Sequence, residues 1–173
     1  MNKEFIKKEL AEKHKLFTEY IGSLDEVAFM KRENNEKWSA GQQLKHIYLS
    51  VRPVKMALLL PKFLLKLLFG RPRQKRTYDE LVATYRVVLK NGGKAGSPYI
   101  PKSVSFNQRQ KLITDLTNLI KSLSDKIDQL SEEDLDSIIL PHPLICKTSV
   151  REMLYFIIYH VQHHQELVKK YLN

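Results

Sequence analysis

Cysteine is almost missing from this chain: among 173 residues only Cys146 occurs, so no intramolecular disulfide and no multi-cysteine zinc or iron–sulfur site can form. A lone thiol also fits a reducing compartment. Glycine (6) and proline (7) are scarce, too few for the many turns of an all-β fold. Long apolar runs are missing as well. The richest, from Met56 to Phe69, is 14 residues interrupted by Pro61, Lys62 and Lys66, short of the ~20 that a spanning helix needs. The opening MNKEFIKKEL alternates charge with apolar residues where a secretory signal would be continuously apolar, and this sets the expectation of a cytoplasmic protein. The length fits one domain, 1–173, with a full core.

Acidic residues are missing from one long stretch. From Lys37 to Arg76 there are ten Lys and Arg and no Asp or Glu. Removing these ten from the 29 basic residues leaves 19 against 19 acidic, so the net charge of +10 is a local feature. Such a field attracts anions, whether phosphate, acidic lipid or anionic thiol metabolites.

What is present is helical periodicity. Phe5, Ile6, Leu10, Phe17 and Ile21 make one apolar stripe of a helix over 3–22. A second helix starts at Ser39, with Gln42 completing a capping box, and carries Leu44, Ile47, Val51, Val54 and Leu58 until Pro53 and Pro61 kink or end it. Thr77 and Glu80 open a short helix that stops near Asn91-Gly92. Ser105 and Gln108 begin a long one in which Leu112, Ile113, Leu116, Leu119, Ile120, Leu123, Ile127 and Leu130 share a face. The SEEDLDS segment reads as a turn and Pro141–Pro143 as a rigid connection. A last helix follows, capped by Thr148 or Ser149 and running to Tyr171. With no strand-like alternation, the pattern predicts an all-α bundle of four substantial helices and one short one.

Six histidines are the candidates for metal or acid–base chemistry. Met153, Ile157, His160, His164, Leu167 and Tyr171 follow a four-three alternation, which puts His160 and His164 on an apolar seam one turn apart, able to reach a single ion. His163 falls off that seam. A single histidine on an apolar face is most often a hydrogen-bonded core residue. Two on one seam each demand partners, at a cost of roughly 1–3 kcal/mol per unsatisfied group, and a shared metal meets that demand. A third ligand is required, and His46 on the flank of the second helix is the leading supply. His14, which reads as solvated surface, and His142, which reads as part of a rigid turn, are the rivals. Gln43, Gln162 and Gln165 could support the ligands, although ordinary surface positions suit them as well.

The segment WSAGQQLKHI, with Trp38 eight residues before His46, together with PHPL and SVREMLYFIIYHVQHHQEL, resembles the DinB-like superfamily that includes the YfiT-type metal-dependent hydrolases. The resemblance spans nearly the whole chain. It implies a DinB-like four-helix bundle, often a homodimer, with a divalent ion held by His46, His160 and His164. It also implies hydrolysis, or transfer of a low-molecular-weight thiol such as bacillithiol or mycothiol. Cys146 departs from the pattern, standing where related sequences often carry Gly, and this raises it as a thiolate ligand, although free cysteine is usually a small buried hydrophobe.

Three neutral imidazoles leave an ion with open positions for water or substrate and suit zinc, nickel or iron alike. The expected partner is therefore a small molecule, with a thiol or its conjugate as a candidate. The basic apolar segment 51–76 supports a different reading, a non-catalytic metal-binding protein or a peripheral membrane or protein-interaction module, with Lys55, Lys62 and Lys66 on one helical side. A helix packed on the bundle is the plainer account of the same residues. Nucleic-acid binding is not expected, since the segment lacks aromatic–basic interleaving.

Overall fold

The computed structural model describes residues 1–34, 37–70 and 75–172. Four long helices form the bundle: α1 (Lys3–Ser23), α3 (Ala40–Ala57), α6 (Arg109–Asp128) and α8 (Val150–Leu172). They close a ring in which α1 packs on α6 and α8, and α3 packs on the same two helices from the opposite side. Between them lie α2 (Glu26–Met30), α4 (Lys62–Phe69), α5 (Tyr78–Lys90) and α7 (Glu132–Ser137).

The caps are those that the sequence specifies. Ser39 and Gln42 bond reciprocally at the start of α3, and Thr77 and Glu80 do the same at α5. At α8 the box is Ser149 with Glu152, the Ser149 amide donating to Glu152 Oε2 (2.8 Å) and the Glu152 amide to Ser149 Oγ (3.1 Å). Leu44, Ile47, Val51, Val54 and Leu58 all face the core, as do Leu112, Leu116, Ile120, Leu123, Ile127 and Leu130. Phe5, expected in the stripe of α1, is 46 % exposed because its neighbour Ile6 takes the inward position.

Three local expectations fail. SEEDLDS is not a turn: Ser131 caps a single helical turn and a half, α7, through a box with Asp134. The PHP region is not merely a connection: β1 (Ile139–His142) and β2 (Cys146–Ser149) pair antiparallel, with Leu140 opposite Thr148 and His142 opposite Cys146. Four residues per strand are too few to show alternation, and Pro141 sits at an edge where its missing amide costs nothing. The basic apolar segment is not one helix either. The chain breaks over 58–61, which puts Lys55 on α3 and Lys62 and Lys66 on α4, since Pro61 cannot continue the preceding helix. Of RPRQKR, residues 71–74 lie outside the described residues.

Cover from α5, α7 and the hairpin explains why α8 is buried on all sides from Glu152 to Ile158. Glu152 is inside because it has partners: the Arg76 backbone amide and Nε both donate to it at 2.9 Å.

Candidate metal centre

Helix α3 supplies His46, and one turn before it Gln43; α8 supplies His160 and His164. The three imidazoles are all buried, 4–6 % exposed. Their Nε2 atoms converge: His160 lies 3.2 Å from His46 and 3.0 Å from His164. Nitrogens bound at 2.0–2.1 Å to one ion, at angles between octahedral and tetrahedral, stand about 2.8–3.4 Å apart. Both separations from His160 fall within that range, and the three ligand atoms all lie within 4.8 Å of one another.

Hydrogen bonds on the far side of two rings fix what the converging atoms are. His46 Nδ1 lies 2.7 Å from the Tyr99 carbonyl, an oxygen that can only accept, so the proton sits on Nδ1 and Nε2 keeps its lone pair. His164 Nδ1 donates likewise to Gln43 Oε1. Two lone pairs therefore face one another across His160, whose single ring proton can satisfy at most one of them. A cation at the convergence point satisfies all three, and the donor set of neutral nitrogen suits a divalent transition metal.

Burial keeps these rings uncharged. It pushes His160 and His164 well below the ordinary imidazole value, and positive charge on neighbouring rings would push further the same way. His46 is also lowered by burial, partly opposed by its bond to Tyr99. The ligand atoms are thus available without a proton having to leave first.

The Trp38 indole covers the group, its ring centre 4.8 Å from that of His46 and stacked at 6.3 Å on His164. Beside the histidines opens a cavity of about 310 Å³ whose walls are mostly apolar, among them Val54, Leu140, Met153 and Phe156, with Tyr85 and His142 also in its lining. Burial pushes the Tyr85 phenol up to about 12. His163 borders this cavity and also an outer groove that it shares with Arg86 and Glu166.

The sequence that builds this bundle and its histidine cluster matches, over residues 9–168, a family model described as the DinB superfamily. The chain belongs to the DinB superfamily. No curated protein matches its sequence.

Among the described residues of this DinB superfamily chain, His46, His160 and His164 are the His, Cys, Asp and Glu side chains that come together closely enough to hold an ion. The rival histidines do not join them. His14, expected at the surface, is 3 % exposed, its Nδ1 donating to the Leu10 carbonyl at 2.8 Å and its Nε2 without a partner. His142 is buried too. Its Nδ1 accepts from the amides of Leu144 and Ile145 (3.1 and 3.2 Å), so the ring shapes the hairpin turn, while burial first and Arg76 second lower it to about 4. Cys146 is exposed at that turn and takes no part in the cluster. Its φ of 63° is left-handed, which explains why glycine suits the position.

Gln43 is the residue that the sequence reading undervalued, since it is 2 % exposed and touches a cluster histidine. Its signal was in the spacing: Gln43 precedes Leu44 and Ile47 by one and four positions and follows Ala40 by three, which places it on the border of the buried face. The Tyr99 carbonyl left no signal, because any residue supplies one.

Proposed function

We propose that this DinB superfamily chain is a divalent-metal-dependent enzyme that hydrolyses a small substrate or transfers a low-molecular-weight thiol to it, with the ion held by His46, His160 and His164. The observation that carries the reading is the meeting of three Nε2 atoms, two of them lone pairs fixed by Tyr99 and Gln43, at the wall of a substrate-sized cavity. Three protein ligands leave coordination positions for something else, whereas structural zinc sites are normally closed by four. When bound, the ion supplies Lewis-acid polarisation and lowers the pKa of a coordinated water or thiol.

The chain's own groups would do the rest. Val54, Leu140, Met153 and Phe156 receive the apolar part of a substrate and keep bulk water from it. Tyr85 stays protonated throughout the neutral range, so it offers a hydrogen-bond donor to a polar substrate group and does not act as a base. Gln43 and Tyr99 hold two imidazoles in orientation, and Trp38 shields them from one side. A ligand role for His46, His160 and His164 is what the DinB resemblance leads one to expect, and the same resemblance makes a homodimer the expected assembly.

Elemental analysis tests the reading. Untagged protein is exposed to a mixture of zinc, nickel and iron ions and desalted. We expect about one ion per wild-type chain, loss of it in His46→Ala and in His164→Ala, and retention in His163→Ala. Equal loss in all three variants, or no retained ion in the wild type, refutes the assignment. The loaded protein is then assayed with an ester and with a thiol and electrophile pair, and turnover must disappear with the ion.

A further inference from the structure

Helix α4 is short, apolar and largely uncovered. Leu65 is its fully buried residue, while Phe63, Leu67 and Leu68 are 73, 76 and 57 % exposed. Met56, Leu59 and Leu60, at the end of α3 and in the break that follows, are 50, 46 and 42 % exposed. Of the thirteen large apolar residues exposed among the described residues, six therefore lie between positions 56 and 68. Scattered single apolar residues are ordinary on a surface, but this concentration is not.

The patch's own stretch of chain carries only positive charge, and its acidic partner comes from α7. Lys62 and Lys66 both reach Asp134, at 2.6 and 3.5 Å. The carboxylate is sunk, with 12 % of its side chain exposed against 47 and 43 % for the lysines. Two ammonium groups thus share one recessed partner and present a net positive edge. Arg52 adds an exposed cation on α3, and no acidic residue occurs anywhere from Lys37 to Arg76.

We propose that the face formed by α4 and the end of α3 docks on an anionic lipid bilayer, with Phe63, Leu67 and Leu68 entering the headgroup boundary and Lys62, Lys66 and Arg52 meeting the lipid phosphates. Helix α4 has eight residues, about 12 Å, and no helix among the described residues is long and apolar enough to cross a membrane, so the contact is one of lying on the surface. A second copy of the chain is the weaker occupant. A two-fold interface sets each patch against itself, which would bring this positive edge against an identical one, whereas an acidic bilayer complements it. The patch is also continuous with the cavity, because Phe69 and Ala57 belong to the cavity wall. Docking would bring that wall of the cavity close to the lipid surface. The proposal does not depend on whether the histidine cluster binds metal.

Co-sedimentation of the full chain with vesicles tests it. Phosphatidylcholine alone is compared with phosphatidylcholine containing phosphatidylglycerol, at low and at physiological salt, beside a Phe63→Ser/Leu67→Ser variant. Both substituted side chains are exposed, so the fold persists, which circular dichroism checks. The expected result is binding to the anionic vesicles alone, weakened by salt, with the variant's partition reduced roughly tenfold or more. Absence of binding to anionic vesicles overturns the proposal, and so does binding that the double variant leaves unchanged. A wild-type dimer that the variant splits, without vesicle binding, gives the face to a second copy and overturns it as well.

Discussion

Replacing Gln43 by Leu removes the acceptor for His164 Nδ1 while keeping the buried position filled. In the wild type that bond holds the proton on Nδ1 and leaves Nε2 free for an ion. Without it, the metal-free variant has an escape: His164 can carry its proton on Nε2 and donate to His160 Nε2, 3.0 Å away. Binding an ion must then move the proton back to Nδ1, where it is buried with no acceptor, at a cost of about 1–3 kcal/mol. The cost falls on the loaded state alone, so it appears in full as lost affinity, roughly 10- to 100-fold, the usual range for losing such an outer partner. Competition of the protein with a chromophoric chelator for zinc near neutral pH measures it, with Gln43→Glu as the companion, since a carboxylate is an equally good acceptor. We expect Gln43→Leu to weaken zinc binding by that factor and Gln43→Glu to hold or exceed wild-type affinity. A Gln43→Leu protein within twofold of wild type refutes the role, and equal losses in both variants show that Gln43 fills space rather than orients the ring.

Three other outcomes are expected in the metal-free protein. His14 is lowered to about 4 by burial, so stability is full above the unfolded imidazole value near 6.5 and is lost as pH falls toward and through 4; urea unfolding between about pH 7 and 4.5 should show a fall roughly 2 kcal/mol smaller in His14→Leu than in wild type, and identical falls contradict the burial account. Cys146→Gly relieves a left-handed residue and should raise the urea midpoint by an amount corresponding to about 1 kcal/mol, the scale of the αL penalty for an L-residue; a lowered midpoint would contradict it. Gly41→Ala puts a methyl 2.6 Å from the Phe29 ring and 3.2 Å from Val104 Cβ, and the overpacking, about 1–3 kcal/mol, should outweigh the ~1 kcal/mol helix gain and lower the thermal midpoint.

The bundle was legible because three of its long helices announce themselves twice, by caps such as Ser39 with Gln42 and by seams such as Leu44 to Leu58, and α1 by its stripe alone. The clustered histidines were legible through the same periodicity on α8 and, for His46, through the motif that links Trp38 to the helix start. The hairpin was not, since strands of four residues containing Pro141 carry too little pattern. His14 misled for a physical reason. Its sequence neighbours Glu12, Lys13 and Lys15 are charged, but at helical spacing its neighbours are Leu10, Phe17, Thr18 and Ile21, all of them buried. Burial is decided by the face and not by the adjacent letters. The same distinction hid Gln43, whose role depends on a side chain 121 residues away.

The cluster also joins parts of the chain that folding must bring together from far apart. His46 and His160 are separated by 114 positions, on α3 and α8. An ion held between them would act as a removable cross-link, absent from the unfolded chain and closing most of its length into a loop. At a free concentration 100 times its dissociation constant, a ligand bound by the folded state alone adds about 2.7 kcal/mol of stability. The supply of metal in the protein's surroundings would then govern how long each molecule survives unfolding and proteolysis, and a chelator would shorten that lifetime even where no substrate is present.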